Sequence, residues 1–104
     1  MKDFYVNLEP NEVISRINKL GGEKADEYTA GFGENAVTVT VYEKYYFRIN
    51  GRATLTSIIN RVASKTHVRL ISAGGGDGIF NFDLGATNAM EESVMDELRG
   101  NIIN

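Results

Sequence analysis

Between Ala36 and Phe47 the chain alternates: Val37, Val39 and Val41 share one parity, and Thr38, Thr40 and Tyr42 share the other. Successive side chains of an extended strand point to opposite faces, so a period of two makes this segment a strand with one buried and one solvated side. The valines are assigned to the buried side. Extending their parity carries Glu43, Tyr45 and Phe47 inward as well. A buried carboxylate is costly unless paired, which makes Glu43, with Arg48, Arg52 or Lys44 beside it, the one catalytic candidate, as half of an acid/base pair. A β-bulge near Tyr42–Lys44, or an exposed strand end, would return it to water, and this plainer reading is favoured.

The rest of the chain supplies partners for such a strand. Phe4 to Leu8 is short and rich in β-formers. Glu9-Pro10 then stops it and opens a helix, with Pro10 at the first helical position, Glu12 placed for a capping box and Leu8 placed to staple onto Val13. Val13, Ile14, Ile17 and Leu20 form the apolar stripe of that helix, and Gly21-Gly22 ends it. Tyr28, Ala30 and Phe32 alternate as a second strand, with Gly33-Glu34-Asn35 turning into the next. Asn50-Gly51 is a hairpin signal, since both residues tolerate positive φ. Arg52 to Val62 is ambiguous: Leu55, Ile58, Ile59 and Val62 also fit a helix capped by Thr54. Its β-branched residues and the turn upstream favour a strand. Thr66 to Ala73 follows, with Val68 and Leu70 on one side, His67 and Arg69 on the other. A last helix is signalled by Asn88 as N-cap, Glu91 three residues on, and an inward stripe of Met90, Val94 and Leu98, with Met95 beside it. The order strand, helix, four strands, helix predicts an α+β two-layer sandwich: an antiparallel sheet of about five strands covered on one face by two helices.

Composition bounds the function. At 104 residues with 42% apolar and 24% charged residues, one ordered domain spanning 1–104 is expected. Without cysteine there are no disulfides and no thiol chemistry. A net charge of −3 with scattered basic residues argues against nucleic acid, and no apolar run is long enough for a membrane span. The expected location is cytoplasmic.

Individual constellations mostly dissolve on inspection. The Gly74–Gly78 loop could cradle a phosphate through its N–H groups, with Gly75 and Gly76 as contacts, but it lacks the P-loop ending and no helix follows directly. Asp77 and Asp83 have Phe80 and Phe82 where calcium ligands would be needed. His67 is the lone histidine, and nothing around Ser57 or Ser72 resembles a nucleophile elbow. No metal or cofactor is expected. Tyr45 and Phe47 are read as core, with Tyr45, Phe80 and Phe82 lining any pocket for a small apolar ligand between the sheet and the C-terminal helix. Tyr42 and Tyr46 are read as covering the open sheet face, a candidate surface for self-association because tyrosine buries large area at low entropy cost.

At Tyr42-Glu43-Lys44-Tyr45-Tyr46-Phe47-Arg48, Lys65-Thr66-His67-Val68-Arg69 and Ile79-Phe80-Asn81-Phe82-Asp83-Leu84-Gly85-Ala86 the chain resembles a small bacterial family known only as a domain of unknown function, DUF6054. The resemblance implies a strand over Arg52 to Val62 and transfers no activity. The element order is also similar in shape to TATA-binding-protein-like and minimal helix-grip folds, which host unrelated functions. The expected function is therefore a non-enzymatic binding or assembly module, a homo-oligomer or the holder of a small apolar ligand. A small enzyme using Glu43 with a neighbouring arginine is the alternative.

Overall fold

The computed structural model describes residues 1–20, 22–46, 51–74 and 84–103; of Tyr46 and residues 84–88 it describes the backbone. The order is β1 (Lys2–Val6), α1 (Pro10–Asn18), β2 (Glu23–Ala30), β3 (Val37–Tyr46), β4 (Gly51–Val62), β5 (Lys65–Gly74) and α2 (Leu84–Leu98). All neighbours pair antiparallel in the sheet order β1-β5-β4-β3-β2. Strands β2 to β5 form a meander, and α1 carries the chain across one face from the β1 edge to the β2 edge. The α+β sandwich expected from the sequence is the fold observed, and residues 54–62 are strand.

The core lies between the helices and the β1–β5–β4 part of the sheet. Phe4 and Val6, Ala53, Leu55 and Ile59, and Val68 and Leu70 point inward from three adjacent strands. They meet Val13 and Ile17 of α1 and Met90, Val94 and Leu98 of α2, the stripes that helical spacing predicts. At the β5 side Ser72 Oγ donates to the buried Glu91 carboxylate, whose other oxygen lies 3.4 Å from the N-terminal ammonium.

Several local expectations are corrected. Glu9 precedes α1 in extended conformation but makes no side-chain cap, and Glu12 pairs instead with Arg16 at 3.1 Å, so there is no capping box. Helix α2 starts four residues before Asn88, so Asn88 lies within the helix and Glu91 is a buried acid rather than a cap partner. Tyr46 pairs with Gly51, and Asn50 of the Asn50-Gly51 turn signal falls within 47–50, which lie outside the described residues, as do 75–83.

The main correction is the parity of β3. Thr40 and Tyr42 are the buried residues, while Val37, Val39, Val41 and Glu43 are half-buried on the opposite, open face. The β3–β4 register runs unbroken from Val37 to Tyr46, so no bulge in β3 causes this; the bulge lies in β2 between Lys24 and Asp26. The physical reason is the reach of the helical layer. Each helix is about 10 Å across with its side chains, so two cover about 20 Å. Five strands at about 4.8 Å spacing need more. The helices pack on β4 and β5 and reach β3 at Tyr42, whose hydroxyl donates to Asn18 of α1 at 2.6 Å. Beside Tyr42 the buried Thr40 bonds Ser57 under the helices, and beyond that margin Thr29 lies 3.0 Å from Thr38.

Candidate functional site

Residues of one parity from all five strands make up the open face. Its register rows read Tyr5, His67, Asn60, Val37, Ala30; then Asp3, Arg69, Ile58, Val39, Tyr28; then Ile71, Thr56, Val41, Asp26; then Ala73, Thr54, Glu43, Glu23. The middle is apolar, with Ile58, Val39 and Val41 half-buried among their neighbours and Tyr28 and Ile71 exposed by 66% and 39%. Ile58-Ile59 and Leu70-Ile71 each place an apolar residue on both parities, and this doubling is the sequence signal that a second apolar face existed.

The two halves of the face differ in charge. On the β1–β5 side, Asp3 is bracketed by His67, which it hydrogen-bonds through Nε2, and by Arg69 at 4.0 Å. The His67 ring packs on Tyr5 with centroids 5.0 Å apart, and Lys65 Nζ sits 5.4 Å from the Tyr5 ring centre. His67 Nδ1 faces Asn60 Oδ1 at 3.2 Å, so both ring nitrogens have partners within the sheet. On the β2–β3 side, Glu23 stands directly opposite Glu43, with Asp26 one row away. Like charges directly opposite across two strands are destabilising.

Sheet edges invite strand addition unless protected. The outer edge of β1 is taken by the C-terminal residues: Asn7 N–H donates to Asn101 O and Ile103 N–H donates to Tyr5 O, both at 2.9 Å. The outer edge of β2 is charged and bulged, and Lys24 is held above its ordinary pKa by its hydrogen bond to Glu27 at 2.6 Å.

Concavities among the described residues include two of different character. One, ≈ 20 Å³, lies between sheet and helices beside Leu20, Tyr42, Leu55, Met90 and Val94. This is room for a water molecule rather than an organic ligand. The other is an open groove of ≈ 570 Å³ where the helical layer falls short of β2, lined by Pro10, Thr29, Glu34, Thr38, Ile59 and Arg61 among others. Its arginine is already tied to Glu9 at 3.1 Å.

The residues singled out from sequence do not converge. Tyr42 is 3% exposed beneath the helices and is not part of the open face. Tyr45, expected in the core, is 46% exposed, and its strand parity puts it on the open face. The side chain of Tyr46, and all of Gly75, Gly76, Phe80, Phe82, Phe47 and Arg48, lie outside the described residues. Glu43 faces Thr54 and Glu23 across its two neighbouring strands, and Arg52 is one row along beside Tyr45.

A family model matches residues 4–102, nearly the whole chain. The chain belongs to DUF6054, a family of unknown function. No curated protein and no solved structure matches this DUF6054 chain. Among its described residues, no helix is long and apolar enough to cross a membrane.

Proposed function

We propose that this DUF6054 chain is a non-enzymatic assembly module that associates with a second copy of itself through the open face of its sheet. One observation carries the reading: the sheet edges are partly taken or charged, while among the described residues the apolar open face with Tyr28, Ile58 and Ile71 has no covering layer. Antiparallel sheets with one solvated face ordinarily carry polar residues there. Five strands at about 4.8 Å spacing, averaging about 30 Å in length, give a face on the order of 700 Å². A standard specific interface takes about 800 Å² from each partner, so the face is the right size for a single docking event. A second copy is the favoured occupant because the face carries both signs of charge on opposite sides, the self-complementary pattern a two-fold contact requires.

The small-ligand reading draws less support, since the space between sheet and α2 is ≈ 20 Å³ among the described residues. The acid/base reading of Glu43 also draws less, because its cross-strand neighbours are Glu23 and Thr54. A bacterial cytoplasmic setting belongs to the same proposal on the family resemblance, and fractionation of cells with an antibody to the chain checks it.

Sedimentation equilibrium over a wide concentration range tests the proposal. The native chain is expected to show a reversible monomer–dimer equilibrium, and Ile58→Lys, in the middle of the face, to stay monomeric with an unchanged circular dichroism spectrum. A native chain that is monomeric at every concentration contradicts it.

A further inference from the structure

We infer that the two copies meet about a two-fold axis lying in the interface plane and parallel to the strands, so that Arg69 of each protomer faces the acidic side of the other around Asp26. The inference rests on the self-association proposed above. Face-to-face sheets have two simple isologous arrangements. An axis perpendicular to the strands lays each strand over its own counterpart at the sides: β2 over β2 and β5 over β5. That lays the acidic β2–β3 side over itself with the strand direction reversed, and keeps Lys65 and Arg69 of β5 away from Glu23, Asp26 and Glu43. An axis parallel to the strands keeps β4 over β4 and exchanges the sides, so that β5 lies over β3 and β1 over β2. The apolar centre, Ile58 and Thr56 of β4, then meets itself, as an isologous contact demands.

The charges fit the second arrangement. Lys65 and Arg69 stand on β5 against a single carboxylate, Asp3, while three carboxylates stand on β2 and β3. Arg69 is 43% exposed, and its Nε makes no hydrogen bond although that atom is shielded from water. In this arrangement Arg69 lies over Val39 of the partner, one strand and one register row from the partner's Asp26. Each such pair occurs twice by symmetry.

Two measurements separate the axes. The dimer dissociation constant of the native chain is read against sodium chloride concentration: the parallel axis predicts weaker dimers as salt rises, because attraction is screened, and the perpendicular axis, which brings no opposite charges together, predicts dimers that do not weaken. Charge reversal follows. Arg69→Glu alone and Asp26→Lys alone are each expected to weaken the dimer about tenfold, and the double variant to restore it. Asp26 also accepts a hydrogen bond from the Glu27 N–H at 2.8 Å, so Glu23→Lys serves as a second acidic-side variant if Asp26→Lys perturbs the fold. A dimer that does not weaken with salt, or whose single and double variants all bind like the native chain, overturns the parallel axis while leaving self-association standing. A chain that never dimerises removes both.

Discussion

Thr40 and Ser57 give the sharpest test of how β3 sits. Both are fully shielded, on neighbouring strands in direct register, and their hydroxyls hydrogen-bond each other beneath the helical layer. Thr40→Val keeps the shape of the side chain and strands the Ser57 hydroxyl. An unpaired buried hydroxyl costs about 1–3 kcal/mol, and the added methyl returns about 0.8 kcal/mol. The expected net loss is about 1–2 kcal/mol. Ser57→Ala strands the Thr40 hydroxyl and gains no methyl, so about 1–3 kcal/mol is expected. In the double variant nothing is stranded. Only the net worth of one hydrogen bond, about 1 kcal/mol, is lost, and the methyl offsets most of it. The double variant should therefore be more stable than either single, with a coupling of about 3 kcal/mol. Urea titration at constant m-value reads the differences, provided the transitions are two-state. If the single effects add to within about 0.5 kcal/mol, the hydroxyls are satisfied separately and the inward placement of Thr40 is wrong.

Further outcomes follow from the same coordinates. Gly31 has φ +85°, and a Cβ there would come within 2.8 Å of the Asn35 carbonyl oxygen, whereas one at Gly33, φ +57°, would meet nothing within 4 Å. Thermal unfolding should thus show Gly31→Ala clearly more destabilised than Gly33→Ala, by about 1–3 kcal/mol against about 1 kcal/mol; equal losses would contradict the loop geometry. Leu98→Ala, at a fully buried position where α2 meets the core, should cost about 2–5 kcal/mol by the same measurement. Phe32→Ala, at a side chain 92% exposed, should stay within about 0.5 kcal/mol of the native chain.

Where one side of an element is covered along its whole length, its composition reveals which side. Val68 and Leu70 of β5 and Met90, Val94 and Leu98 of α2 lie as their spacing predicts, because the apolar residues of those stripes have a layer to meet. Strand β3 alternates just as regularly, yet its valines face away from the helices. Alternation separates two faces without saying which one a neighbouring layer reaches, and that depends on the width of two helices against five strands. Thr40 and Tyr42 satisfy their hydroxyls through Ser57 and Asn18, partners 17 residues ahead and 24 residues behind, so no local pattern marks them as inward. Strand β2 is exposed on every residue and shows no burial rhythm to read. Asn88 and Glu91 imitate a helix start because the same spacing that makes a capping box also places Glu91 beside Met90, on the inward side of a helix already under way.

The chain has no cysteine, so single cysteines placed at positions 39 and 40 report the two faces of β3 without background. The decisive measurement is the rate of thiol labelling of Val39→Cys and Thr40→Cys at several protein concentrations. Residue 39 should react fast in dilute protein and more slowly as a second copy covers the face, while residue 40 should react only on unfolding. Faster labelling at 40 than at 39 contradicts the placement of the strand, and a rate at 39 that ignores concentration contradicts the covering partner.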